Sequence, residues 1–154
     1  MILLEQGEAR FNFRVAAVAY RGDRVLLQRV EGVTDYWFLP GGRVEMLESA
    51  SEALTRELHE ELGVTAHIQR LLWIVENFFE LHGYRWHELG LYFAVELPPE
   101  VPDDGEFVGA EAGPPAYMRW FPLDQVAMLD IEPRFLRHEL RKPPDRPKHI
   151  VNRD

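Results

Sequence analysis

The chain has no cysteine, which excludes disulfides and thiolate metal sites. It has no apolar run approaching the length of a membrane-spanning helix. Cations are in short supply: 17 Lys and Arg face 26 Asp and Glu, a formal net charge of −9. That balance argues against broad binding to nucleic acid or a membrane surface through charge. It leaves room for a phosphorylated small molecule, which a metal and a few local arginines can hold inside an acidic protein. The segment Met1–Glu5 is too short and too acidic for a signal peptide, so a cytoplasmic protein is the default expectation. There is no internal repeat and no low-complexity stretch. A length of 154 residues suits one domain with a sizeable core, expected over 1–154 with a polar, Pro-rich tail at 142–154.

Against these absences stands one concentration of carboxylates. Glu57, Glu60 and Glu61 lie at i, i+3 and i+4, so on a helix they are neighbours. At about 100° per residue, Ala50, Ala53, Leu54 and Leu58 fall on the same side as these three glutamates. Ser51, Glu52, Thr55, Arg56 and His59 fall on the other. The acidic cluster is therefore expected to extend the inward-facing stripe. Carboxylates there repel one another and are costly to bury unpaired. A hard cation such as Mg²⁺ or Mn²⁺, which prefers oxygen ligands, accounts for them; a salt-bridged surface face is the alternative. Ser49-x-x-Glu52 reads as a capping box that starts the helix, and Gly63 as the residue that stops it.

The remaining pattern alternates strands with short connections. Phe11–Tyr20 reads as a strand, with Phe11, Phe13, Val15, Ala17 and Ala19 on one face. Arg21–Arg24 is a turn and Val25–Arg29 the returning strand of a hairpin. Tyr36–Gly42 is a short strand running into a Gly-Gly loop. Further strands are expected over His67–Phe79, Arg85–Glu96 and Ala116–Pro122. The segment Pro98–Pro115 should be a mobile loop. Leu123–Leu129 and Pro133–Arg141 are expected to be helices, and the tail from Lys142 to be ordered only near Ile150-Val151. The order is mixed α/β (α+β).

Gly42, five residues, Glu48, seven residues, and then Arg56-Glu57-Leu58-x-Glu60-Glu61-x-Gly63-Val64 resembles the Nudix box at every fixed position. The resemblance implies an α/β/α sandwich around a mixed sheet, and a divalent-metal hydrolase that cleaves the diphosphate of a nucleoside diphosphate linked to another group. A non-catalytic nucleotide sensor on the same fold is the alternative. By resemblance Glu57, Glu60 and Glu61 are metal ligands, with the Gly42 or Gly41 carbonyl as a further one. Arg56 pairs with Glu48 and orients a catalytic glutamate. Glu45 reaches the site from the loop, and homodimers are common. One local departure is Leu47, where many members have glycine just before the first box glutamate.

The substrate side is less defined. Arg14 and Arg29, on strands leading toward the Gly-Gly loop, are candidates for phosphate contact, with ordinary surface arginines as the alternative. Glu88 and Glu76 are candidate bases outside the box. Glu88 faces either substrate or solvent, and His87, sharing the Leu89/Leu91/Phe93 face, is expected to be buried. Trp37, Phe79, Tyr84 and Trp86 are candidates to stack on a base, or core residues. The markers of ADP-ribose and diadenosine polyphosphate hydrolases are missing: Phe79-Glu80 and Leu81-His82 occupy those places. The upstream coenzyme A signature is missing too.

Overall fold

The computed structural model describes residues 1–153. Nine strands form one mixed sheet: β1 (Leu3–Gln6), β2 (Ala9–Arg21), β3 (Arg24–Val30), β4 (Gly41–Arg43), β5 (His67–Leu81), β6 (Tyr84–Glu96), β7 (Glu106–Val108), β8 (Ala116–Pro122) and β9 (Lys148–Arg153). The order is β7-β8-β3-β2-β6-β5-β9, and β1 and β4 also pair with β2. The β2–β6 and β5–β9 pairs are parallel and the rest antiparallel. Among the described residues no helix is long and apolar enough to cross a membrane.

The alternation of β2 explains why the sheet is covered on both sides. Val15, Ala17 and Ala19 pack beneath helix α1 (Ala50–Leu62) with Leu26, Leu54 and Leu58. Ala16 and Val18 face the opposite layer, where Leu72, Trp73, Val75, Ile131, Leu136 and Leu140 are buried. That layer carries a 3-10 helix (Leu123–Met128) and the single-turn helix α2 (Leu136–Glu139). Two apolar layers flanking one sheet make the sandwich.

The β2–β3 hairpin separates early. Only Tyr20↔Val25 and Arg21↔Arg24 pair, after which β4 takes the place beside β2 through Arg14↔Arg43, Val15↔Gly42 and Ala16↔Gly41. This substitution sets the Gly-Gly segment against the middle of β2, under α1. Both helix caps form as expected. Ser49 Oγ accepts from the Glu52 amide at 3.2 Å, Glu52 returns the bond to the Ser49 amide at 2.9 Å, and Gly63 closes the helix at φ 70°.

Several expectations are revised. The Tyr36–Gly42 strand starts later, at Gly41, since Trp37 and Phe38 make only isolated bridges to Ile131 and Gln28. The Pro98–Pro115 segment is tied down: Arg21 donates to the carbonyls of Pro98 and Val101 at 2.9 Å and to Asp103 at 2.8 Å, and β7 forms within it. The Pro133–Arg141 helix shrinks to Leu136–Glu139. The polar tail supplies β9, whose Asn152 donates to buried Asn77 at 2.8 Å.

Candidate active site

Helix α1 presents Glu57 and Glu61 to the Gly-Gly segment. Glu61 is buried, 6% exposed, and accepts from the Gly41 amide at 3.3 Å. Burial pushes its carboxyl up to about 8, with Arg14 opposing and Glu57 reinforcing the shift. Glu57 sits against Gly42 so closely that a Cβ on Gly42 would lie 2.2 Å from its carboxyl carbon. Burial raises the Glu57 pKa as well, against the pull of Arg56. The two carboxylates are one helical turn apart and share the cradle that the side-chain-free glycines leave open.

Arg56 holds the outer edge of this cluster. Its guanidinium grips both oxygens of Glu48 and donates from Nη1 to Glu57 at 2.9 Å and to Glu60 at 3.3 Å. It also donates to the Arg43 carbonyl at 3.1 Å, tying the loop to the helix. Hydrogen bonding to Arg56 brings Glu48 down to about 2.

Glu60 corrects the helical phase: it is 44% exposed in its side chain and lies beside Arg56, at the margin of the inward stripe. Glu45 is exposed and paired with the Met1 ammonium, so it points toward the N-terminus. Arg29 is paired with Glu106 at 3.4 Å and lies over Trp37 and Tyr117; nothing brings it to the carboxylates. Glu76 binds exposed His149 at 2.7 Å and is not among the residues that line the cleft. His87 is exposed, stacked on Phe78 with ring centroids 4.5 Å apart. Its ring also meets Phe11 edge-on at 5.1 Å.

Arg14 and Glu88 do come together, in a cleft of about 600 Å³ on the opposite face of β2 and β6. Its walls include Tyr36, Phe38, Phe79 and Tyr92. Of the aromatic candidates only Phe79 reaches it directly. Trp86 stacks behind Phe79, Trp37 packs on Phe121 at 4.7 Å, and Tyr84 lies on the surface under Arg10. Tyr36, Phe38, Tyr92 and Arg134 were not singled out in the sequence. Tyr36 and Phe38 flank Trp37 in an apolar run, and period-2 alternation there places them on the face opposite the one Trp37 buries.

Arg14 links the two regions. It donates to the Leu39 carbonyl at 3.0 Å, lies over the Phe38 ring, lines the cleft, and its charge acts on Glu61. Arg43, its partner in the β2–β4 register, lies over Trp86 at 5.4 Å.

Whether these residues fit a divalent cation turns on the donor set. Among the described residues no three Asp, Glu, His or Cys side chains converge as a metal cage. Mg²⁺ does not require one: it binds through one or two carboxylates, with water and substrate phosphates completing its octahedron. Glu57 and Glu61, both oxygen donors raised in pKa by burial beside an open glycine cradle, fit that requirement. Glu60 fits it less well, being exposed and drawn to Arg56.

A diphosphoinositol polyphosphate phosphohydrolase 2 of Rattus norvegicus is 41% identical over 70 residues, 44% of this chain and 39% of that protein, so the chain spans less than half of that relative's length. A mutator MutT protein of Bacillus halodurans superposes with a TM-score of 0.64 at 22% identity, over 92% of this chain and 89% of the other, a likeness of fold. A MutT NUDIX hydrolase of Burkholderia pseudomallei is 27% identical with a TM-score of 0.56, over 74% and 84%. The family model described as the NUDIX domain matches residues 10–142, with the Gly42–Val64 motif and its glycine cradle inside that span, and the chain belongs to this family.

Proposed function

We propose that the protein is a divalent-metal-dependent hydrolase, using Mg²⁺ or Mn²⁺, that cleaves the diphosphate of a nucleoside diphosphate linked to another group, as in a nucleoside triphosphate or a nucleotide sugar. The observation that carries this reading is the continuity, through Arg14, between the buried Glu57/Glu61 pair at the glycine cradle and an aromatic-lined cleft. A bound cation would neutralise phosphate charge and lower the pKa of an attacking water. Glu57 and Glu61 would hold it, with the Gly41 or Gly42 carbonyl. Arg56 fixes Glu57 and Glu48 in place, and Arg14 is placed to meet a phosphate oxygen with a charged hydrogen bond. Glu60, within reach of Arg56 on the wet edge, is available to a water approaching from that side.

The curated relative described above acts, by its name, on diphosphoinositol polyphosphates. The cleft here carries Glu80, Glu88 and Glu132 against Arg14 and Arg134, a poor lining for a ring crowded with phosphates. It suits a ligand with one flat apolar part and one diphosphate. A Mg²⁺-dependent screen across nucleoside triphosphates, nucleotide sugars, dinucleoside polyphosphates, ADP-ribose and a diphosphoinositol polyphosphate, with products identified by mass, tests the reading. Turnover of a nucleotide at a diphosphate bond is expected. Tight nucleotide binding without turnover would point instead to a non-catalytic sensor.

A further inference from the structure

The base-facing end of the cleft holds a carboxylate that the diphosphate chemistry does not use. Glu88 is buried, 9% exposed, in β6, yet lines the cleft among aromatic walls. Its hydrogen bond is from Asn12 Nδ2, at a long 3.2 Å, and no cation forms an ion pair with it among the described residues. Asn12 is 3% exposed, and its Oδ1 is buried with no hydrogen-bond partner. The pair sits in register across β2 and β6. A buried acceptor left unmade is expensive, and so is a buried carboxylate with a single neutral donor. Of these two neighbouring features it is the carboxylate that lines the cleft, and it calls for a ligand that brings donors.

The strand supplies the spacing. Asn12, Arg14 and Ala16 alternate onto the same face of β2, and Ala16 is the residue paired with Gly41. Same-face residues recur about every 6.6 Å. An amide–carboxylate pair, a guanidinium and the strand position that pairs with Gly41 therefore follow one another along one face, over about 13 Å in all. That sequence of groups matches a nucleotide laid along β2 with its base at Glu88, which Asn12 holds from behind, and its phosphates from Arg14 onward.

We infer that Glu88, held by Asn12, selects a guanine base by accepting hydrogen bonds from its adjacent N1–H and N2–H donors, with the base lying against the aromatic walls of the cleft. The other bases offer a carboxylate less. Adenine and cytosine put a ring acceptor beside their amino group, and uracil flanks its one N–H with two carbonyls. A side chain that accepts only, read against the Watson–Crick edge, therefore discriminates toward guanine. This rests on the nucleotide reading of the site, so its test measures binding without turnover.

Calorimetric titration of the metal-free protein with guanosine, inosine and adenosine monophosphates separates the arms, because inosine lacks only the N2 amine. The guanine nucleotide should bind at least about tenfold tighter than either other one. Glu88→Gln, nearly isosteric, should remove that preference while leaving the adenine nucleotide within about twofold. Asn12→Asp, which places a second carboxylate beside the first, should weaken the guanine contact less than Glu88→Gln does; circular dichroism checks that both variants fold. Equal affinities for the three nucleotides, or a guanine preference untouched in Glu88→Gln, overturn the inference. Hydrolysis of a nucleotide without base preference would leave the proposed activity standing and this inference fallen. Guanine-selective binding without hydrolysis would do the reverse.

Discussion

Arg56 and Glu48 are joined by two parallel hydrogen bonds, Nε to Oε2 at 2.8 Å and Nη2 to Oε1 at 2.9 Å. This fork fixes the loop that precedes α1 to the helix itself, and leaves Nη1 free to hold Glu57 and Glu60. The consequence is measurable in acid. Glu48 titrates near 2 in the fold against 4.5 ordinarily. A lowered carboxylate pKa contributes stability above the ordinary value, lost as pH falls from about 4.5 toward 2. Acid denaturation of Glu48→Gln should begin at higher pH than the parent, with a shallower slope in that window. Superimposable acid curves for the two proteins would refute the linkage.

Glu61 predicts the opposite sign. Its carboxyl is raised from 4.5 to about 8, so the neutral form is favoured in the metal-free fold. Stability is then fullest below 4.5 and falls as pH rises toward 8, by at most about 1.4 kcal/mol per pH unit. Denaturant melts in chelator should show that fall, and Glu61→Gln should remove it. Added Mg²⁺ should restore the alkaline stability of the parent, because a cation favours the ionised carboxylate, and should do little for Glu61→Gln.

Gly42→Ala tests the cradle. Its Cβ would land 2.2 Å from the Glu57 carboxyl carbon, and the side chain of Glu57 is the part able to move. The fold should survive while turnover falls by about 10²-fold or more, as expected when a binding carboxylate is displaced by an ångström. Activity within twofold of the parent would mean that Glu57 does not work from this position.

Leu47 sits fully exposed at φ 67°, in a left-handed conformation that costs a side chain about 1–2 kcal/mol. Glycine carries no such strain but adds freedom to the unfolded chain. The net expectation for Leu47→Gly is stabilisation by about 0.5–1 kcal/mol, a rise of about 1–4 °C in Tm. An unchanged or lower Tm would show that the loop bears no strain at Leu47.

These effects also mark what a sequence alone carries. The helix, its caps and the inward phase of Glu57 and Glu61 follow from local rules, because spacing, propensity and capping act within a few residues. Glu60 escaped them because it lies at the edge of the stripe, where one hydrogen bond to Arg56 decides the direction. Arg29 and Arg14 look alike along their strands; only the early separation of β3 from β2, with β4 inserted, sends one to Glu106 and the other to the Leu39 carbonyl at the cleft. The cleft was the least legible. It is assembled from β2, β5, β6 and the segments around Tyr36 and Pro133, and no window of sequence contains it. Glu88 illustrates the point: strand alternation gives its face, but the partner that buries it lies 76 residues away.

The family match ends at residue 142, yet β9 begins at Lys148 and runs parallel beside β5 from Trp73 to Phe78. Trimming the protein at the matched boundary would bare the backbone of β5 along that stretch and strip Asn77 of its amide donor. Exposed, unpaired strand edges recruit other chains, so such a shortened protein should aggregate more readily than the longer one. The last dozen residues, the least distinctive in the sequence, would then be the ones that shield this edge from disordered association.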